Sequence, residues 1–289
     1  MSPPPSRVRR GIVLATVVVL LVGGVTWLYL AGPLAHPPAG CTAMLTPSAG
    51  AAAGRANPAA DVGADEVQAY AMSPEQADNA ATIAGVGLKL GMPAHAVTVA
   101  IATALQESGL RNLAGGDRDS IGLFQQRPSQ GWGTASEIAD PVYAATAFYQ
   151  RLRQQPNWTA LEVTQAAQLV QRSAAPLAYA QWEPRARVTA AALTGEADAS
   201  ISCHDLRLGP PAAGVVTVAR RELGTAALSG PQTAARGRAL ANWLVAHAVR
   251  LAIDRVTVDG NTWTAESGGW ARTGPPDSRL SLHQFGAPE

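Results

Sequence analysis

The sequence predicts a mainly helical domain after one N-terminal transmembrane helix, and a small α+β module at the C-terminal end. Residues 11–30 contain no charged side chain, which is typical of a membrane-spanning helix. Between residues 73 and 203, apolar residues recur at spacings of three and four, which indicates helices with one buried face. After residue 214, helical stretches precede short strand-like segments that are separated by glycine-containing turns.

The N-terminal end predicts a single-pass membrane protein. Residues 1–10 contain three arginines and are expected to form a cytoplasmic tail, followed by a transmembrane anchor at residues 11–31. A helix of about 20 residues spans about 30 Å, the thickness of a hydrocarbon core. The alternative is a cleaved signal peptide, whose apolar core is usually shorter, about 7–15 residues. With the anchor retained, everything from residue 32 onward is expected to be extracytoplasmic.

The overall composition excludes some classes of partner. Hydrophobic residues make up 47% of the chain, charged residues 15%, and the formal net charge is +1. A chain with so little net charge lacks the strong basic field that nucleic-acid binding requires, so no nucleic-acid partner is expected. The five histidines show no paired spacing typical of a zinc site, so neither a metal nor another cofactor is expected.

The two cysteines, Cys41 and Cys203, are predicted to form a disulfide because both lie outside the membrane, where thiols are oxidised. Residues 32–72 are interpreted as an extracytoplasmic linker rich in Ala, Gly and Pro. Within this linker, residues 42–46 and 66–71 are expected to pair as a hairpin.

Helix start and stop signals divide residues 73–203 into five predicted helices. Ser73, Pro74 and Gln76 form a capping box with proline at the first helical position. The second helix is expected to begin near Pro93 and to carry Glu107 near its end. The others are predicted from Asp140 to residue 154, after a capping box formed by Thr159 and Glu162, and over residues 176–193.

Residues 204–214 are rich in Gly and Pro and are interpreted as a linker to a module at residues 215–289. This module is predicted to contain helices over residues 215–224 and 232–252. Strands are expected at residues 254–258, 262–264, around Trp270 and at 280–285, with a tight turn at Asp259-Gly260.

The candidate chemistry is concentrated in residues 100–133. Glu107 follows an apolar helical pattern that ends at Gly109. The next loop is rich in Gly, Asp and Asn, and is followed by the sequence GLFQQ at residues 122–126 and by Trp132. A carboxylic acid at the end of a buried helix, facing glycines, amides and an aromatic ring, is typical of a saccharide cleft with a general acid.

The order Glu107-Ser108 and then Gly-Leu-Phe-Gln at residues 122–125 resembles the catalytic core of the lytic transglycosylase and goose-type lysozyme superfamily. In that superfamily a Glu-Ser pair precedes a Gly-Leu-Met-Gln-like motif, and Phe124 takes the place of the methionine here. The run at residues 127–133 is similar to a membrane-anchored actinobacterial branch. The C-terminal module resembles small modules of actinobacterial wall proteins. The resemblance covers residues 73–203 and implies a lysozyme-like fold.

The resemblance also implies a substrate and a set of site residues. The substrate would be the glycan strand of peptidoglycan, cut between N-acetylmuramic acid and N-acetylglucosamine, with Glu107 as the catalytic acid. The implied substrate-binding residues are Ser108, Gly122, Gln125, Gln126, Trp132 and Tyr179. Structural roles are also possible: a loop hydrogen bond for Gln125, and core packing for Trp132 and Tyr179. Protein partners are not predicted.

Asp117 and Asp119 decide between two mechanisms. An inverting glycosidase needs a second carboxylate about 6.5–9.5 Å from the acid to activate water. Either aspartate is a candidate, although aspartates are also common in turns. Without such a base, the C6 hydroxyl of the substrate attacks and a lytic transglycosylase results, which is the favoured prediction. An inverting lysozyme-type hydrolase and a non-catalytic cell-wall-binding or scaffold protein are the competing predictions.

Overall fold

The structure, a computed structural model, describes residues 38–46, 67–196 and 199–286. The predicted cytoplasmic tail at residues 1–10 and the predicted anchor at residues 11–31 lie outside the described residues. Within the described ranges, no helix has the length and apolarity needed to cross a membrane.

A small antiparallel sheet brings distant parts of the chain together. Its strands are β1 (Gly40–Leu45), β2 (Gln68–Met72) and β3 (Ala199–His204), in the order β2-β1-β3. The pairing of β1 with β2 confirms the predicted hairpin, whereas β3 was not predicted. Cys41 and Cys203 face each other in register across β1 and β3 and are bonded, which confirms the predicted disulfide.

The first two helices begin where the sequence predicts. In α1 (Pro74–Lys89), the Ser73 hydroxyl accepts from Gln76 N at 3.2 Å and the Gln76 side chain accepts from Ser73 N at 2.8 Å. Helix α2 (Ala94–Ser108) follows Pro93 and ends at Gly109, which has a left-handed φ of 64°. Every residue of α2 from position 96 to position 105 is buried, so this helix is the centre of the helical core.

Four further helices complete the helical core: α3 (Ala135–Ile138), α4 (Pro141–Arg153), α5 (Val163–Gln171) and α6 (Glu183–Thr194). The last three of these pack on α2. The predicted cap at Thr159 is wrong. A 3₁₀ turn occupies Trp158–Ala160, and Glu162 and Gln165 cap α5 instead. The fifth helix begins at Glu183 rather than at residue 176, because the preceding segment is a loop followed by a 3₁₀ turn at Ala180–Trp182.

The C-terminal part contains helices and one five-stranded antiparallel sheet, as the predicted α+β module requires. Its helices are α7 (Val215–Leu223), α8 (Ala234–Ala246) and α9 (Ala248–Leu251). Its strands are β4 (Gly230–Pro231), β5 (Ile253–Val258), β6 (Asn261–Thr264), β7 (Trp270–Arg272) and β8 (Arg279–Gln284), ordered β4-β8-β5-β6-β7. Asp259 and Gly260, with φ values of 49° and 76°, form the predicted turn between β5 and β6.

The helical core and the C-terminal part pack against each other directly, and the described residues from position 39 onward cluster as one unit. The indole of Trp263 donates to Cys203 O at 3.2 Å, and the indole of Trp270 donates to Ile201 O at 2.9 Å. The side chain of Asn242 in α8 accepts from Ile201 N at 2.8 Å and donates to Ala192 O at 2.9 Å. Residues 204–214 therefore link two parts that share a buried interface.

A charged network crosses the same interface. His247 lies between two carboxylates, with Nδ1 2.5 Å from Asp78 Oδ1 and Nε2 2.9 Å from Glu222 Oε2. Arg250 donates to the same two carboxylates, at 2.8 Å and 2.7 Å. The indole of Trp243 donates to Glu222 Oε2 at 3.0 Å. Because Asp78 belongs to α1 and the other members belong to the C-terminal part, the network holds the two parts together.

The network should depend on pH. Burial alone would lower the pKa of His247, but the charges of Asp78 and Glu222 and their hydrogen bonds outweigh it and raise the pKa. Burial alone would raise the pKa of Glu222, but the charges and hydrogen bonds of His247 and Arg250 lower it to about 2. The partners of His247 and Glu222 therefore favour the charged form of each side chain.

Removal of the disulfide should lower the free energy of unfolding. The bond closes a loop with a sequence separation of 162, and loss of a native disulfide typically costs about 2–5 kcal/mol. We expect a loss in this range for the Cys41→Ser/Cys203→Ser double variant, measured by urea unfolding. Reduced wild-type protein is the control and should match the variant. Equal stability of oxidised wild type and variant would contradict the prediction.

Replacement of His247 should destabilise the fold in a pH-dependent way. A histidine whose pKa is higher in the folded state than in the unfolded state contributes its full stabilisation below the unfolded-state pKa of about 6.5. This stabilisation is lost as pH rises through the folded-state pKa. The His247→Gln variant should lose roughly 3 kcal/mol near pH 5.5, because buried Glu222 and half-buried Asp78 lose one of their two cations and keep only Arg250. The difference from wild type, measured by urea unfolding from pH 5.5 to 9, should shrink as pH rises. A constant difference would contradict this assignment.

Candidate active site

Glu107 lies in the last turn of α2 and is held by one specific partner. The phenol of Tyr179 donates a hydrogen bond to Glu107 Oε1 at 2.8 Å, across a separation of 72 residues. Glu107 itself is partly exposed, and its second carboxylate oxygen has no protein partner among the described residues. One oxygen is thus fixed, and the other is free to exchange a proton with a ligand.

The surroundings of Tyr179 keep its phenol protonated, so that it remains a hydrogen-bond donor. Its side chain is 0% exposed, and burial raises its pKa well above the usual value. A hydrogen bond from Ser173 opposes this rise, whereas the charge of Glu107 and the hydrogen bond to it add to it. The phenol is therefore protonated at physiological pH, and the structure places it against Glu107.

A polar chain behind Tyr179 was not predicted from the sequence. The Ser173 hydroxyl donates to Gln168 Oε1 at 3.0 Å, and Gln168 Nε2 donates to Ser173 O at 2.9 Å. These bonds fix the loop after α5, which carries Tyr179. Ser173 follows the helical pattern of α5 and lies outside any motif, so no local sequence signal identifies it.

Ser108 connects the end of α2 to the loop at residues 122–125. Its hydroxyl lies 2.7 Å from Leu123 O and 3.0 Å from Ala104 O, and accepts from Arg111 N at 3.2 Å. A hydroxyl that is saturated by three backbone groups has little capacity left for a sugar. The structure therefore gives Ser108 a positioning role beside Glu107.

The GLFQQ residues form the core side of this loop. Gly122 has a φ of 79°, and a Cβ at this position would come within 2.8 Å of Ile138 O, so glycine is required. Phe124 is buried and stacks on Phe148 of α4 with ring centroids 4.7 Å apart. The atom that excludes a side chain at Gly122 is therefore a backbone oxygen of the protein.

The two glutamines of this motif make contacts within the protein. Gln125 Nε2 donates to Gly122 O at 3.1 Å, which is a loop-stabilising hydrogen bond rather than a contact reserved for substrate. Gln126 is 1% exposed, and its Nε2 donates to Ala144 O at 3.1 Å. Because a buried side chain cannot touch a sugar in this conformation, we leave Gln126 out of the proposed cleft.

Trp132 is covered rather than free to stack on a sugar. The ring is 6% exposed, and the guanidinium carbon of Arg151 lies 3.4 Å from its centroid. Arg151 also donates to Gly131 O at 2.9 Å, which holds the loop beneath the ring. The arrangement is a cation–π contact that packs Trp132 into the fold.

The two candidate second carboxylates differ in their surroundings. Asp119 accepts from Arg127 Nε at 2.6 Å, from Ser129 N at 2.8 Å and from the Ser129 hydroxyl at 3.0 Å. The backbone hydrogen bond from Ser129, then the bonds from Arg127 and the Ser129 hydroxyl, lower the pKa of Asp119 far below its usual range. Asp117 has a side chain that is 91% exposed and is 3.9 Å from Arg118. Asp119 organises its loop, and Asp117 projects into solvent.

Gln106 is a neighbour of Glu107 that sequence reasoning missed. Its Oε1 accepts from the Trp182 indole at 2.8 Å and from Gln181 Nε2 at 3.2 Å. Trp182 is half-buried and bonds to the residue directly before Glu107, so it is part of the surroundings of the site. The sequence predicted a helix from residue 176, and a continuous helix there would not have indicated the 3₁₀ turn that presents Gln181 and Trp182.

Comparisons with known proteins assign neither a family nor a function to this chain. No protein-family model and no curated protein matches the chain. Across the described ranges, no group of three or more His, Cys, Asp or Glu side chains is arranged to hold a metal ion.

Substitution of the two aspartates should separate their roles. Asp119→Asn loses the charge that Arg127 and Ser129 surround, so the loop at residues 119–129 should open more often. We expect faster amide hydrogen exchange at Ser129 in this variant. Asp117→Asn is the matched control and should exchange as wild type does. Unchanged protection in Asp119→Asn would contradict the structural role.

Proposed function

We propose that the chain is a membrane-anchored, extracytoplasmic enzyme that cleaves peptidoglycan glycan strands, and that its helical core is a lysozyme-like domain of the lytic transglycosylase type. One observation carries the proposal: Glu107 ends a buried helix with one oxygen fixed by Tyr179 and the other open. The disulfide supports an extracytoplasmic location, because such bonds form in oxidising spaces.

In the first proposed step Glu107 is a general acid. Its free oxygen donates a proton to the glycosidic oxygen, O4 of N-acetylglucosamine, as the bond from C1 of N-acetylmuramic acid breaks. The Tyr179 phenol donates to Oε1 throughout, so the proton is directed to the other oxygen. The carboxylate that remains is stabilised by the same hydrogen bond.

In the second step the ionised Glu107 is a general base. It accepts the proton of the C6 hydroxyl of the same muramic acid residue, whose oxygen bonds to C1. The product is a 1,6-anhydro sugar, no water is consumed, and the acid returns to its protonated form. One titrating carboxylate is sufficient for this route, whereas hydrolysis needs a second group to activate water or to attack C1.

The surroundings of the two aspartates support the intramolecular route. Asp119 is occupied by three donors, and protonating it would sacrifice these bonds, which makes it a poor base. Asp117 is exposed and has only Arg118 nearby. The inverting hydrolase is therefore the second candidate, and the non-catalytic wall-binding protein is the third because its cleft would not need the Glu107–Tyr179 pair.

The test is the Glu107→Gln variant, which keeps the shape of the side chain but cannot donate a proton. General acid catalysis typically contributes about 10²–10⁴-fold, so release of soluble fragments from purified peptidoglycan should fall by about this factor. Binding to sedimented peptidoglycan should be retained. Glu75→Gln removes the same charge at an exposed position of α1 and should leave the rate unchanged.

The products distinguish the mechanisms. Mass spectrometry of wild-type digests should find 1,6-anhydromuramyl ends. Ends that carry one added water, together with loss of activity in Asp117→Asn or Asp119→Asn, would establish an inverting hydrolase instead. Full activity in Glu107→Gln would overturn the assignment of this site.

A further inference from the structure

A pocket of about 470 Å³ lies on the side of the helical core where the loop around Trp132 meets α4 and the end of α5. Its volume is within the usual range for small-ligand sites, about 300–1,000 Å³. Two arginines and four glutamines contribute to its nine-residue lining, and none of the nine is acidic. The pocket is thus both basic and rich in amide groups.

The two arginines, Arg151 and Arg172, lack a carboxylate partner. Within the described ranges, neither guanidinium forms an ion pair with Asp or Glu. Arg151 is held in place by Gln130 O, Gly131 O and the Trp132 ring, whereas Arg172 is exposed. Burial, and then the charge of Arg172, lower the pKa of Arg151. An anion between the two would remove this repulsion.

The glutamines favour a peptide over a simple anion. The side-chain amides of Gln130 and Gln154 have no partner among the described residues, and each offers both a donor and an acceptor. Paired donors and acceptors are the complement of peptide bonds. A single inorganic anion would fill only a small part of the pocket and would leave these amides unused.

The pocket is connected to the proposed active site. Gln171, one of its lining residues, donates from Nε2 to Phe124 O at 2.8 Å. Phe124 follows Leu123, whose carbonyl accepts from Ser108 beside Glu107. One short loop therefore borders the catalytic carboxylate on one side and the pocket on the other.

We infer that this pocket, the arginine pocket, binds a carboxylate-bearing peptide through Arg151 and Arg172. In the context of the proposed function, on which this identification rests, the ligand is the stem peptide attached to N-acetylmuramic acid. Its carboxylate lies between the two guanidinium groups, and its peptide bonds pair with Gln130 and Gln154. The pocket then selects strands that carry an acidic stem peptide, while Glu107 cuts the glycan.

The experiment measures binding by titration calorimetry with the full-length chain. The probes are N-acetylmuramoyl-L-alanyl-D-glutamate and its diamide, which has the same shape but no carboxylate. Wild type should bind the diacid about tenfold or more tightly than the diamide, because charge-assisted bonds are much stronger than neutral ones. Arg172→Gln should weaken the diacid about five- to tenfold and leave the diamide unchanged.

Arg236→Gln is the matched control, since it removes an exposed arginine of α8 far along the chain from the pocket residues. It should bind both probes as wild type does. Equal binding of diacid and diamide, or no effect of Arg172→Gln, would overturn the inference. An oligomer of glycerol phosphate that binds through Arg172, with no binding of the diacid, would also overturn it and assign the pocket to a phosphate polymer.

The probes have no glycosidic bond, so the two proposals fail separately. If cleavage depends on Glu107 but the diacid does not bind, only the arginine pocket is refuted. If the diacid binds through Arg172 but Glu107→Gln retains activity, the pocket stands and the enzymatic assignment fails.

Discussion

The burial of the middle of α2, from residue 96 to residue 105, is the constraint on which the site depends. Ten consecutive residues before Gln106 are buried, so the helix cannot rotate or shift without exposing apolar surface on some side. The last turn of the helix reaches solvent and carries Glu107, and Gly109 then reverses the chain. A carboxylate placed in this way is held by packing rather than by a salt bridge, which leaves it available for proton transfer.

The surroundings of Glu107 divide into groups that position and groups that react. Ser108 and the loop glycine Gly122 make their contacts to backbone atoms, so they define the wall of the site without offering polar atoms to a ligand. Tyr179 makes the one side-chain hydrogen bond to the acid that the described residues provide. The proposed chemistry then depends on a single carboxylate whose two oxygens have different environments, as an acid that later becomes a base would require.

Local signals in the sequence predicted most of the helix starts and the α+β character of the C-terminal part. The Ser73 capping box, Asp140 before Pro141 and the turn at Asp259-Gly260 each depend on neighbours within a few residues. The failures involve contacts distant in sequence. Strand β3 pairs with β1, and the segment before α6 carries Tyr179 to Glu107. Neither interaction leaves a periodic pattern in its own segment.

The C-terminal part is connected to the site through hydrogen bonds that no sequence motif predicts. Its α8 bonds to β3 and to the end of α6 through Asn242, while its His247 network bonds to Asp78 of α1. The next residue of α1, Asn79, donates to Leu110 O at 2.9 Å, directly after the Glu107 helix. Neighbouring residues of one helix thus bind the C-terminal part and the active-site loop, so the C-terminal part stabilises the frame in which Glu107 is presented.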